Sequence, residues 1–199
     1  MPFGVIGKAL ALALIAAVAA VGFVKHEDRV QEQTKLARIA SVLAGRPVGV
    51  RCPGFLGGLV DVHGEAGRVQ FDAAGKPADY TDLSPDTCHA LASFAQTDFS
   101  CLRAHTCGYA QFRIAWAAHT LAHEAFHLRG YADEGVAECY AMQNTAFVAA
   151  RLGVSGPIAR ALQRWVYTRG FHNEPQDYQS PGCYRDGPLD LTPQTPSWP

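Results

Sequence analysis

Gly130 and Asp133 punctuate the most regular part of the chain and divide it into two arms. Residues 110–129 are rich in Ala, Leu and Phe, and Gly130 is a natural helix stop. Asp133 is a natural N-cap for a second helix over 134–152, which Gly153 closes. Two helices joined by so short a loop form an αα-hairpin. In such a hairpin, positions equidistant from the turn face each other. Position 134 therefore lies near 127, and 138 near 123.

That pairing matters because of what occupies those positions. His123 and His127 are four apart, so on a helix both imidazoles share one face and can reach one ion. Glu124 follows the first histidine directly, which in this pattern places its carboxylate beside the metal's water as a general base. The second arm begins with Glu134 and Glu138, also four apart. The hairpin predicts that Glu134 completes a Zn2+ site and that Glu138 orients His123 from behind. The reverse assignment of the two glutamates is open, and Asp133 is a third candidate ligand. His119 extends the histidine row by one turn and reads as a pocket-lining or hydrogen-bonded core residue. Tyr131, Tyr140 and His172 are candidates to polarise a substrate carbonyl, although each is more often structural.

The segment His123-Glu124-Ala125-Phe126-His127 followed by Glu134 and Glu138 resembles the zincin metallopeptidases, in particular their glutamate-ligand branch, the gluzincins. The resemblance covers about 20 residues. It implies zinc, hydrolysis and a peptide or protein substrate. The chain departs from the usual pattern in spacing, because the two motifs are closer together than is common there. The stretch from His123 to Asp133 is also similar to the metzincin pattern, with Gly130 at the turn and Asp133 as third ligand. The two methionines, Met1 and Met142, supply no recognisable Met-turn, so the gluzincin-like reading is preferred.

Around this hairpin the sequence predicts an α+β fold, mainly helical and zincin-like, with a small antiparallel hairpin or sheet. Val48–Cys52, Gly58–Val62 and Arg68–Asp72 are short β-type runs separated by glycines. They are candidates for an edge strand with which an extended peptide pairs. Residues 73–83 read as loop. Ser84-Pro85-Asp86 starts a helix that runs to about Gln96. Another starts at Ser155 and Pro157 and carries Ile158, Leu162, Trp165 and Val166 on one face. The proline-rich tail from Asn173 reads as an extended strap pinned by Cys183.

The N-terminus supplies the address. Residues 9–24 are an uninterrupted apolar run behind Lys8, read as a signal peptide or as an uncleaved anchor helix within a segment 1–24. Both readings send the rest of the chain out of the cytoplasm, and the second ties it to the membrane. Residues 25–45 follow as a connecting helix, and 46–199 as the zincin-like domain. Six cysteines behind an export signal favour disulfides over metal ligation, and none has the spacing of a structural zinc site. The expected pairs are Cys101 with Cys107, Cys52 with Cys88 and Cys139 with Cys183. A net charge of −1, with no basic stripe, gives no sign of nucleic-acid binding. The reading from another class is a non-catalytic exported domain, linked by disulfides, whose metal site is structural or vestigial. An open fourth coordination position facing a cleft would discriminate against it.

Overall fold

A computed structural model describes residues 27–53, 65–195 and 198–199. The expected anchor or signal segment 1–24 and the β-type run Gly58–Val62 lie outside the described residues. Among those described, no helix is long and apolar enough to cross a membrane.

Helix α4 (Tyr109–Arg129) is the centre of the fold, buried continuously from Ala117 to Leu128. Ala115, Ala117, Ala118, Ala122 and Ala125 give it a slim profile, so neighbours approach closely on several sides. Helix α5 (Glu134–Leu152) returns antiparallel to it, and α6 (Gly156–Arg169) packs on α5. The hairpin turn is built as the sequence predicts. Gly130 takes φ 113°, a left-handed value that L side chains resist, and the Asp133 side chain accepts from the Val136 amide. Leu121, Phe126 and Leu128 meet Met142, Val148 and Leu152 of α5 and Leu162 and Val166 of α6 in one core. Helix α1, described over 27–44, adds Leu36, Ile39 and Leu43 to the same core.

A small sheet lies against the other side of α4. Strands β1 (Gly49–Arg51), β2 (Gly67–Arg68) and β3 (Tyr80–Leu83) are ordered β1-β3-β2. The sheet is mixed, which corrects the antiparallel expectation: β1 pairs parallel with β3, and only β2 runs antiparallel. β3 falls in a stretch read as loop. It is only four residues long and carries Asp82, so its alternation, with Thr81 and Leu83 inward, is too brief to register in the sequence. Helix α2 (Pro85–Ala92) starts at Ser84, whose side chain accepts from the Thr87 amide, and a 3-10 turn over Phe94–Gln96 extends it. The short α3 (Cys101–Ala104) precedes α4.

All three expected disulfides are present: Cys52–Cys88, Cys101–Cys107 and Cys139–Cys183. The first ties β1 to α2, and the third ties the tail to α5. Such a set marks a chain that folds in an oxidising environment.

Candidate metal centre

One turn of α4 and the first turn of α5 bring three acceptors to a point. His123 Nε2 and His127 Nε2 lie 2.8 Å apart. Glu134 Oε2 lies 3.0 Å from the first and 3.1 Å from the second. The opposite ring nitrogens are already committed. His123 Nδ1–H donates to Glu138 Oε2 at 2.9 Å, and His127 Nδ1–H donates to the Tyr131 carbonyl at 2.6 Å. Both rings therefore present Nε2 lone pairs to each other and to a carboxylate oxygen. Three converging lone pairs are mutually repulsive unless a proton or a metal cation sits among them. Tetrahedral zinc with ligands at about 2.0–2.1 Å sets them about 3.3 Å apart, so a shift of a few tenths of an ångström would seat the ion. The residues present fit a divalent metal.

Without a metal, a proton takes that place. Burial opposes a charge on His123, but hydrogen bonds to Glu134 and Glu138 outweigh it and raise its pKa. The imidazole contacts hold the Glu134 carboxyl far below the usual carboxylate range. Glu138 is buried, which opposes its ionised form, yet His119 and His123 hold it ionised and well below its ordinary value.

Behind the cluster runs a buried chain of polar groups. Glu138 Oε2 takes both His123 Nδ1 and His119 Nε2, each at 2.9 Å. His119 Nδ1 lies 3.3 Å from Thr145 Oγ1, whose hydroxyl donates to the Ala141 carbonyl. Glu138 Oε1 is buried without a hydrogen-bond partner among the described residues. His119, His123 and Glu138 thus form a second convergent set, but it lies on the far ring edge of His123.

Glu124 points to the sheet side. Its Oε2 lies 3.2 Å from Thr81 Oγ1, which has a single proton and also faces the Arg68 carbonyl at 2.9 Å. Burial raises the Glu124 pKa against the pull of both histidines. Strand β2 presses on the carboxyl so closely that a Cβ at Gly67 would come within 2.7 Å of Glu124 Oε1. On the opposite wall the tail lays Tyr178 flat on His123, with ring centroids 5.6 Å apart and planes 22° from parallel. Burial and the surrounding carboxylates, Glu134 first among them, push the Tyr178 phenol up to about 12, so it keeps its proton. The centre opens into a cleft of about 420 Å³ that Glu124, both metal-facing histidines, Glu134 and Tyr178 line together.

The predicted residues divide clearly. His123, His127 and Glu134 converge, Glu138 contacts His123 from behind, and Glu124 faces the same cleft. Asp133 does not join them, because its carboxylate is used in capping α5. Tyr131 and Tyr140 pack with Phe126, and His172 packs with Tyr167 and Phe171; none of the three lines the cleft. Tyr178, Thr81, Gly67 and Thr145 went unread. For Tyr178 a signal existed: Cys139 adjoins Glu138, so a bond to Cys183 draws the neighbouring tail toward the site. Comparison with protein-family models, curated proteins and solved structures finds no match for this chain.

Proposed function

We propose that this protein is an exported, zinc-dependent hydrolase of the metallopeptidase type. The observation that carries the reading is the convergence of His123 Nε2, His127 Nε2 and Glu134 Oε2, with both Nδ1 atoms already used as donors. Two nitrogens and one carboxylate oxygen suit zinc among the common divalent ions. His123, His127 and Glu134 would hold zinc there, and it would supply Lewis acidity to the attacking water and to the substrate carbonyl.

The chain's own residues do the rest. Glu124 accepts the proton of the attacking water at its carboxylate and returns it to the leaving amine, a role suited to a carboxyl whose pKa burial has raised. Glu138 fixes the ring of His123 and its tautomer. Tyr178, a protonated phenol on the cleft wall, would donate to the carbonyl oxygen as charge builds on it. β2 passes beside Glu124 and lines the same cleft, so an extended peptide held there would run along it.

A purely structural metal site would be closed by a fourth protein ligand. Here Glu134 retains 37 % side-chain exposure and the three acceptors face a cleft, which favours a catalytic role. Three disulfides, together with the apolar segment 9–24, support export. The test is metal analysis of the purified wild type beside His127→Ala, joined to peptide cleavage by wild type and Glu124→Gln. About one zinc per wild-type chain and cleavage lost in both variants is the expected result. Full activity in Glu124→Gln, or a wild type that binds no metal, would overturn the reading.

A further inference from the structure

Glu138 steadies the back of His123, yet its own carboxylate is held in an unusual way. Oε1 is buried and has no hydrogen-bond partner among the described residues. The hydrogen bonds that its carboxylate makes among them all fall on Oε2, at 2.9 Å from His123 Nδ1 and 2.9 Å from His119 Nε2. A carboxylate oxygen only accepts, so both ring nitrogens donate to it. A carboxylate tied only to the ring that it steadies would turn with that ring. The bond from His119 is therefore the one that fixes Oε2 independently of the metal-facing histidine.

His119 is itself clamped. It is 2% exposed, and the Trp116 ring packs on it with centroids 4.7 Å apart. Its Nδ1 lies 3.3 Å from Thr145 Oγ1, and the Thr145 hydroxyl is anchored on the Ala141 carbonyl at 2.9 Å. Trp116 is wedged in turn, because a Cβ on Gly170 would overlap its ring. His119 and His123 stand one turn apart on α4, and Glu138 and Thr145 two turns apart on α5, so the four lie on facing stripes of the two helices. The frame thus comes from the packed bodies of α4, α5 and α6 and not from the hairpin turn. A histidine that served only to staple two helices would have no cause to share one oxygen with His123 while the other oxygen goes unpaired, since an unpaired buried acceptor is costly.

We propose that His119 is a positioning residue of the metal centre: through the shared Oε2 of Glu138 it fixes the ring of His123, and so governs how tightly the centre holds its ion. The inference rests on the metal-centre half of the reading above and is independent of hydrolysis. Thr145 and Trp116 hold His119 in register for this role.

Zinc affinity is measured by chelator competition on wild type and variants, with circular dichroism confirming folding and melting of the metal-free proteins reading stability separately. His119→Phe keeps a ring and removes both hydrogen bonds; it is expected to weaken zinc about tenfold and to change the visible absorption of the cobalt(II)-loaded protein, which reports the geometry around the ion. His119→Gln, whose amide N–H can reach the same oxygen, should recover most of the affinity. In a Glu138→Ala background, His119→Phe should cost less than about twofold, because nothing is left for it to hold. Wild-type zinc affinity in folded His119→Phe, a His119→Gln no better than His119→Phe, or losses that multiply in the double variant would each overturn the role. Should Glu138→Ala fail to fold, the comparison of Phe with Gln at position 119 decides. The expected zinc pattern with no peptide cleaved would sink the hydrolase and spare the role, whereas a wild type that binds no zinc would remove the centre and the role together.

Discussion

The two sides of the metal centre are built by different means. The hairpin side takes every acceptor and its main orienting group from residues 123–138, and the 3.6-residue repeat of two regular helices places them. The wall side comes from distant and irregular pieces: Gly67 and Thr81 on two short strands, and Tyr178 in a 3-10 turn of the tail. Nothing periodic holds these pieces. The strand side is fixed by Ser84 N–H and the Thr87 hydroxyl, which both donate to the Ala66 carbonyl, and the tail by the Cys139–Cys183 bond and by Gln143, whose amide donates to the Leu189 carbonyl. Helix geometry can therefore set a metal grip locally, whereas the surfaces that shape a reaction around it depend on tethers. The two sides should fail separately.

The largest effects should come from the hairpin. His127→Ala is expected to abolish zinc retention and turnover together, as read by metal analysis and peptide cleavage. Glu124→Gln should keep zinc and lower kcat by about 10²–10⁴. If His127→Ala keeps its metal, the grip lies elsewhere and the contrast between grip and wall is lost. One step back, Glu138→Gln should weaken zinc about 10–100-fold in chelator competition, because a neutral amide oxygen accepts more weakly from His119 and His123 than the shared carboxylate oxygen and puts its NH2 in the buried position where Oε1 has no partner.

Breaking the tether tests the other half. Cys139→Ser with Cys183→Ser opens a bond spanning 44 residues and should lower stability by about 2–4 kcal/mol in chemical denaturation. Turnover should fall about tenfold or more as Tyr178 loses its place, while the zinc content of the folded protein stays at the wild-type level. Tyr178→Phe should reproduce the kinetic loss, in kcat more than in KM, without the loss of stability. A tether variant that sheds its zinc would show that grip and wall are one unit.

The same contrast explains what could be read from sequence. The hairpin was legible because Gly130 and Asp133 fix the turn, after which His123, His127, Glu134 and Glu138 follow by counting. Asp133 was a competing ligand on paper, and only the geometry shows its carboxylate engaged with the Val136 amide. The wall was illegible for a physical reason. Thr81 acts through a strand of four residues, Gly67 through the absence of a side chain, and Tyr178 through contact with a ring 55 positions earlier. None of these leaves a period in the sequence. The parallel pairing of β1 with β3 escaped for the same reason, since it depends on which strand the chain returns to.

The smallest predicted effect arises where the wall meets the hairpin. Burial under β2 raises the Glu124 pKa above its ordinary 4.5, so the folded chain resists ionising a carboxyl that the unfolded chain ionises freely. A raised carboxyl pKa means that the folded state holds more protons, and stability on this account falls as pH rises past 4.5. Glu124→Gln removes the ionisation. In metal-free protein at neutral pH the variant should therefore melt at a higher temperature than wild type. Well below pH 4.5 both side chains are neutral in either state, and the advantage should disappear. Gly67→Ala should act in the opposite sense, lowering the melting temperature at every pH, because its Cβ collides with the carboxyl whatever its charge. Melting curves of the three metal-free proteins across pH would read both signs. A Glu124→Gln variant that is less stable than wild type at neutral pH would mean that the contacts of this carboxyl with Thr81 and the histidines outweigh its burial. The wall would then hold Glu124 as part of the structure instead of straining to keep a base in reach.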